Sequence, residues 1–344
     1  MKPTSLLKRS LYATTLVLLA GPLAAQELPG EGKNLKYARS DSLGANYVQD
    51  AIIIKALEEM GYDVDLSTIS VAAFFQAAAQ GDLHVSGDIN MPQRAPAYEQ
   101  VKDDVALVGE GTIIGGGTNG FVIDKATSEE HDITNVEQLK DPELAALFDT
   151  DGDGTANLVN CDPGWSCGDV VDFQLEEFGL GDTVESVRAK YEPLMGEVFT
   201  RAARGEPVFY YTWSPSWITD ALVPGKDVVW LPIPYGALPE GVTAQGGHEV
   251  SGIEGCAGGQ DPCRMVTGSW NWMIAANRDF LSENPAAEKL LETVRWPAET
   301  WSTWEGALNE GNSDRDIEKI AQTWIDENTD TFEGWIKEAS AAGQ

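Results

Sequence analysis

Residues 115–123 read GGGTNGFVI, a run of glycines interrupted by Thr and Asn and followed by apolar residues. The run does not fit a phosphate-binding loop, because no Lys followed by Ser or Thr stands at the required place. Segments that alternate between strand-like and helix-like patterns lie on both sides of it. We therefore predict that this stretch is a flexible crossing between two domains, leading into a strand at residues 121–123.

The residues before the crossing predict an α/β domain. Strand-like segments at residues 34–40, 62–66 and 83–89 alternate with helix-like segments at 45–60 and 71–80. Each helix-like segment stops at a glycine, as helices commonly do. Such alternation is typical of a largely parallel sheet flanked by helices.

A second break, rich in Pro and Gly, lies at residues 232–239, and similar strand–helix alternation fills the space between the two breaks. We predict a discontinuous two-lobed protein in which residues 26–116 and 238–344 form lobe 1 and residues 117–237 form lobe 2. Lobes joined in this way close on a ligand by hinge motion at the crossing strands. The ligand cleft is expected between the lobes.

Residues 1–25 have the layout of a secretory signal peptide. Three basic residues precede the apolar run 11–20, and small residues follow it, which predicts cleavage near Ala25. A disordered tail is the alternative. Because no Cys lies near the cleavage point, we expect no lipid anchor on an N-terminal Cys. The protein is expected to be exported and soluble.

The composition excludes some classes of partner. The 344 residues include 23 Lys+Arg against 55 Asp+Glu, a formal charge of −32. This acidic excess counts against nucleic acid or an anionic membrane surface as the main partner. The 42% hydrophobic content indicates a globular chain.

Cysteines occur in two close pairs, Cys161 with Cys167 and Cys256 with Cys263. An even number in an exported chain favours disulfides. A four-Cys zinc site remains the alternative, although neither spacing is the usual C-x-x-C. Bridges over such short loops would fix loop shape more than overall stability.

Two segments carry the most unusual chemistry. Residues 161–168, CDPGWSCG, place Trp165 at the tip of a short loop ahead of a predicted helix, whose N-terminal N–H groups form an anion seat. Residues 210–217, YYTWSPSW, put aromatic side chains at the end of a predicted strand. Aromatic faces attract a quaternary ammonium group, which has no N–H donors. Core packing of these aromatic residues is the alternative.

An acidic segment resembles the start of a calcium loop. Asp149, Asp151 and Asp153 fall at its first, third and fifth positions, but Asn160 stands where the bidentate Glu belongs. Asx turns would also explain this sequence, so the segment is only a weak calcium candidate. No metal or other cofactor is expected.

Signatures of catalysis are missing from the sequence. His84, His131 and His248 have no partner spacing that suggests a site, and no G-x-S-x-G or H-E-x-x-H motif occurs. Each His is expected to be a surface or loop residue. An exported hydrolase is the enzymatic alternative, and a purely structural surface protein is another.

The same segments resemble the periplasmic glycine betaine/proline betaine-binding proteins of osmoprotectant ABC transporters. The likeness extends over nearly all of the chain after residue 25 and is carried by residues 139–155, 160–168, 207–217, 224–232 and 332–339. The resemblance implies a periplasmic-binding-protein fold that delivers a solute to an ABC permease and its ATPase. It implies a monomer without enzymatic activity.

The resemblance also implies site residues. Trp165 and Trp213 match two of the family's three ammonium-binding Trp, while the amides of Ser166 and Cys167 match its carboxylate-binding groups. In the third segment, Asn90 stands where the family has Trp and Arg94 where it has a carboxylate-binding His. Loss of an aromatic wall would weaken binding about tenfold or more.

Three explanations of this departure stay open. Trp270 or Trp272 supplies a replacement wall, the ligand differs, or the register of the match is wrong in this stretch. The expected ligand is glycine betaine or proline betaine, and the alternatives are dimethylsulfoniopropionate and choline. Arg94 would pair with a ligand carboxylate, which choline lacks.

Overall fold

A computed structural model of the chain describes residues 28–41, 43–244 and 247–343. The predicted signal peptide, residues 1–25, lies outside them. The strands are β1 (Asn34–Arg39), β2 (Asp63–Thr68), β3 (Val85–Met91), β4 (Val105–Val108), β5 (Gly117–Asp124), β6 (Ala156–Val159), β7 (Val184–Val187), β8 (Phe209–Ser214), β9 (Val228–Leu231), β10 (Glu249–Val250), β11 (Cys263–Arg264) and β12 (Ser269–Asn277).

The helices follow the predicted alternation and dominate the C-terminal part. They are α1 (Ala45–Glu59), α2 (Val71–Ala79), α3 (Ala95–Tyr98), α4 (Lys125–His131), α5 (Pro142–Ala145), α6 (Ser166–Glu177), α7 (Tyr191–Ala203), α8 (Trp217–Ala221), α9 (Arg278–Glu283), α10 (Pro285–Thr293), α11 (Ala298–Glu310), α12 (Asp314–Glu327) and α13 (Thr329–Ala342).

The sheet is mixed, with parallel pairing in each lobe and antiparallel pairing near the crossings. β1 pairs in parallel with β2 and β3, and β6 pairs in parallel with β7 and β8. β12 runs antiparallel to β3 and β4 along its C-terminal part and to β5 at its start. The predicted α/β class and two-lobed architecture are confirmed.

The crossing between the lobes is a pair of strands. β5 and β12 pair through Thr118 with Ser269 and Gly117 with Trp270, so the outgoing and returning chains lie side by side. Gly116 has φ 73°, which glycine adopts without strain. A Cβ on Gly117 would collide with the Trp270 ring, so the glycine run also admits this ring against the backbone.

Separate hydrophobic clusters fill the two lobes. In lobe 1, α1 packs beneath β1 together with α10–α13, and the late tryptophans Trp296, Trp301, Trp304 and Trp335 are buried there. The sequence interpretation of most late tryptophans as core residues is confirmed. In lobe 2, Phe121 and Tyr211 lie in one cluster, and Tyr210 in a second.

Residues 247–268 pack on lobe 2, although the Pro/Gly-rich break before them predicts that they belong to lobe 1. Cys256, Cys263 and Met265 belong to the cluster around Tyr210 and Trp230. The backbone N–H of Trp230 donates to Gly255, and that of Val266 donates to Asn119. The chain therefore still packs on lobe 2 after the Pro/Gly-rich break, and the lobe boundary lies later in the sequence. We propose lobe 1 as residues 28–116 and 271–343, and lobe 2 as residues 117–270.

Candidate functional site

A cavity of about 170 Å³ lies between the lobes. Lobe 1 contributes Ser40, Asp41, Leu43, Gly44, Asn46, Val71, Asp88, Asn90, Gln93, Arg94 and Glu305 to its walls. The facing walls come from Asn119, Trp165, Ser166, Cys167, Tyr211 and Trp213, with Trp270 and Trp272 at the crossing. Each of the six ligand-binding residues expected from the sequence therefore borders one space.

The Trp165 loop is closed by the disulfide between Cys161 and Cys167. Asn160 anchors its start, because its side-chain amide donates to Asp172 at 3.0 Å and to Ser186 at 2.9 Å, and its oxygen accepts from the Cys161 N–H at 2.6 Å. The side-chain bonds hold the start of the loop, just after β6, to α6 and β7. The loop thus has little freedom to move away from the cavity.

The helix predicted behind this loop is present. α6 begins at Ser166, with Trp165 as its N-cap residue and no side-chain cap. The first N–H groups of a helix have no partner within the helix. Those of Ser166 and Cys167 are therefore available at the cavity wall, at the positive end of the helix dipole.

Aromatic rings meet edge to face on the lobe 2 wall. The centroids of Trp165 and Trp213 are 6.0 Å apart with an interplanar angle of 67°. Tyr191 stacks behind Trp213 at 5.3 Å, and its hydroxyl donates to the Tyr211 carbonyl at 2.7 Å. Asp162 accepts the Tyr191 N–H. Tyr191 is fully buried, and it fixes the orientation of Trp213.

Tyr191 was missed by the sequence analysis. It is the first residue of α7, far in sequence from both aromatic segments. Only the parallel packing of β6, β7 and β8 brings it under Trp213. No local signal pointed to it.

Asn90, which stands where the family has Trp, has an aromatic neighbour on the next strand. Trp272 of β12 pairs directly with Asn90 of β3. Trp272 stacks on Trp301 at 6.5 Å and contacts Trp270 edge to face at 6.0 Å. Residues directly opposite on paired strands point to the same face of a sheet. An aromatic face is thus present beside Asn90.

Arg94 lies at the start of α3 and is half-buried. Burial lowers the pKa of its guanidinium, and the nearby charge of Asp41 raises it in part. Arginine stays protonated even so. No carboxylate among the described residues lies within ion-pair distance of Arg94. The Arg94 guanidinium is therefore able to pair with an anionic group of a ligand.

The carboxyl groups of the cavity region are deeply buried. Burial raises the pKa of Asp88, whose Oδ2 accepts the Ser40 N–H at 2.5 Å. Behind it, burial and the charge of Asp88 raise the pKa of Asp50, which accepts a hydrogen bond from Tyr37 at 2.7 Å. Burial raises the pKa of Glu305 to about 8. In a chain with so many acidic residues, no local pattern distinguishes these three carboxyl groups from the others.

The remaining candidates lie elsewhere. None of the three histidines borders the cavity, and His84 stacks on Phe280 at 4.7 Å. The carboxylates of Asp149, Asp151 and Asp153 lie within 4.8 Å of one another. Asp149 accepts backbone N–H groups of residues 151, 152 and 154, so Asx turns account for this loop. Cys256 and Cys263 form the second disulfide.

In the parts of the chain described, no helix is both long and apolar enough to cross a bilayer. Two lobes joined by paired strands, with a cavity between them that is lined by aromatic rings and a helix N-terminus, define a solute-binding protein of the two-lobed class. Residues 37–327 match the family OpuAC, the substrate binding domain of the ABC-type glycine betaine transport system. The chain belongs to this family, whose members are substrate-binding transport proteins.

Curated relatives cover the chain almost end to end. The glycine betaine-binding periplasmic protein OusX of Dickeya dadantii is 36% identical over 334 residues, 96% of this chain and 97% of its own length. The glycine betaine/proline betaine-binding periplasmic protein of Escherichia coli is 34% identical over 335 residues, 96% of this chain and 98% of its own.

Solved structures share the fold. Lactococcal OpuAC, closed and complexed with glycine betaine, has a TM-score of 0.63 at 16% identity, covering 88% of this chain and 99% of its own. An ABC-transporter choline binding protein in complex with choline has a TM-score of 0.62 at 16% identity, covering 90% and 96%. At such identities these likenesses concern the fold.

Proposed function

We propose that this chain is the solute-binding component of an ABC importer and captures a small quaternary-ammonium zwitterion, glycine betaine or proline betaine. The observation that carries the proposal is one interlobe cavity with aromatic faces and anion donors. Its relatives' names, which specify the same ligands, support the same conclusion.

The ammonium group would lie against Trp165 and Trp213, with Trp272 as the third aromatic face. Each face contributes about 0.5–2 kcal/mol, more where water is excluded. The carboxylate would accept hydrogen bonds from the Ser166 and Cys167 amides and from Arg94. Charge-assisted bonds of this kind contribute about 1.5–3 kcal/mol. The two ends of the ligand thereby engage both lobes.

We propose that the protein acts in the periplasm as a soluble monomer after removal of residues 1–25, and hands its solute to a membrane permease with its ATPase. Capture of a solute needs no bond chemistry. Incubation with candidate solutes followed by mass spectrometry should therefore reveal no product. A time-dependent product would support the hydrolase alternative instead.

A tryptophan-fluorescence titration at fixed salt tests the ligand. Because Trp165, Trp213 and Trp272 border the cavity, ligand entry should change the emission. We expect saturable micromolar binding of glycine betaine and proline betaine, and weaker binding of choline, which lacks a carboxylate. Saturation by dimethylsulfoniopropionate or choline alone would reassign the ligand. No saturable response to any of the four would contradict the proposal.

The Cys161–Cys167 disulfide should matter for affinity. Replacing both residues by Ser keeps the backbone amides but frees the Trp165 loop, whose closure contributes about 2 kcal/mol in the chain-entropy model. We expect glycine betaine affinity to fall about three- to tenfold, because part of that ordering is then required on binding. Isothermal titration calorimetry measures the change.

The second disulfide supplies the matched control. Cys256 and Cys263 lie in the lobe 2 core and do not border the cavity. Replacing both by Ser should lower the melting temperature and leave affinity nearly unchanged. Equal losses of affinity in the two double variants would argue against a specific role of the Trp165 loop.

A further inference from the structure

Glu305 connects the two lobes at the edge of the cavity. It lies on α11, which packs against α1 inside lobe 1 and against α8 of lobe 2. Its Oε2 accepts a hydrogen bond from the backbone N–H of Trp217 at 3.2 Å. Trp217 is the first residue of α8, so this N–H has no partner within its own helix. A lobe 1 carboxyl group thus caps a lobe 2 helix.

This hydrogen bond fixes the segment that carries the aromatic wall. Trp213 is at the end of β8 and α8 follows directly, with the Ser216 hydroxyl donating to the Trp213 carbonyl at 2.6 Å. The Glu305–Trp217 bond therefore attaches the turn behind Trp213 to lobe 1. It exists only while the lobes are together.

The surroundings of Glu305 offer no positive charge to balance an ionised carboxylate. Among the described residues no Lys or Arg forms an ion pair with it. Its side chain keeps some accessible surface, which we assign to the cavity that it lines. The titratable and charged groups that surround it are Asp220 on α8, Tyr191 on α7, and Asp41, Asp88 and Arg94 around the cavity.

The other side of α11 does not supply a counter-charge. Asp316 and Lys319 of α12 border a separate groove between α11 and α12. Burial, together with the charge of Asp220, raises the pKa of Glu305 to about 8, while the Trp217 N–H lowers it only in part. A carboxyl group with that pKa is mostly protonated at neutral pH.

We propose that Glu305 is a positioning residue that ties the Trp213 wall to lobe 1 as a neutral carboxylic acid, so that ligand binding takes up one proton. The inference rests on the proposed function, because it requires a ligand that brings the lobes together. Before closure water reaches the carboxyl group and its pKa returns toward the ordinary 4.5.

The change in the pKa of Glu305 on closure sets the sign of the pH dependence of ligand affinity. Because the pKa of Glu305 is higher in the closed state, closure is favoured by protons, and affinity falls as pH rises from the open-state pKa toward about 8. The slope is at most about tenfold per pH unit. Above about pH 9 both states are ionised and the dependence levels off. If the ligand ammonium group were instead attracted to an ionised Glu305, binding would release a proton. The affinity would then rise with pH.

Calorimetric titration with glycine betaine in buffers of different ionisation enthalpy measures the proton count directly. At about pH 6.5 we expect uptake approaching one proton per ligand by the parent protein and none attributable to Glu305 in Glu305→Gln. The glutamine can still accept the Trp217 N–H and has no proton to take up, so at pH 6.5 it should bind up to about 100-fold more tightly than the parent and match the parent only near the open-state pKa. Glu305→Ala should bind about three- to tenfold more weakly than Glu305→Gln, the worth of one hydrogen bond.

Glu299→Gln is the matched control, since Glu299 lies on the same helix, is exposed and does not border the cavity. It should keep the parent's proton uptake. If the glutamine variant folds poorly, Glu305→Asp is tested as well, and it should also keep this uptake. Proton release, no uptake by the parent, equal uptake by Glu305→Gln, or equal affinities of Glu305→Ala and Glu305→Gln would each overturn the inference. No binding by the parent would overturn the proposed function, and the inference with it.

Discussion

Trp213→Ala should lower the affinity for glycine betaine about 100-fold, the equivalent of roughly 2–3 kcal/mol. Trp213 borders the cavity, meets Trp165 edge to face and is stacked on Tyr191. Removing the ring deletes one cation-binding face and leaves Trp165 without its neighbour. Isothermal titration calorimetry at fixed pH and salt measures the loss.

Two further variants serve as comparisons for Trp213→Ala. Trp213→Phe keeps an aromatic face and should lose less affinity than the alanine variant. Trp324→Phe alters a tryptophan that borders the separate α11–α12 groove, and it should bind like the parent. Unchanged binding by Trp213→Ala, with a melting curve that shows a folded protein, would remove Trp213 from the site.

Arg94→Met should lower the affinity for glycine betaine about 10- to 100-fold, because a charge-assisted contact to the carboxylate is lost. Choline has the same ammonium group without the carboxylate, so its affinity should stay the same or rise. The preference for betaine over choline is therefore expected to shrink by a similar factor. Competitive titration of the two ligands measures this ratio directly.

Arg94→Lys separates charge from geometry. The lysine keeps the positive charge but cannot present two parallel N–H groups, so an intermediate loss is expected. Arg315→Met, at an exposed position of α12, is the control for removing a positive charge elsewhere. A betaine-to-choline ratio that did not change in Arg94→Met would contradict the assignment of Arg94 to the carboxylate.

Much of the lobe architecture was predictable because it depends on local patterns. Glycines at residues 61 and 81 end α1 and α2, and apolar alternation marks β1 and β3. The predicted crossing at residues 115–120 is the start of β5, paired with β12. These signals act within a few residues of the chain, so the sequence alone carries them.

The second boundary between the lobes was harder to predict from the sequence. Residues 247–268 contain many glycines and their own disulfide, which made them look like a surface excursion of lobe 1. Their partners are β9 and Asn119 of lobe 2. A Pro/Gly break signals a turn, but it does not say on which lobe the following chain packs.

By itself, the sequence determined the α/β class, the crossing, the two Cys pairs, and the loops that carry Trp165 and Trp213, because each has a local pattern or a specific family string. Only the tertiary structure decided that Trp272 lies opposite Asn90, that Tyr191 stacks under Trp213, and that Glu305 contacts Trp217. These contacts join residues distant along the chain. Their existence depends on strand register and lobe packing, as does the burial that raises the pKa of Glu305.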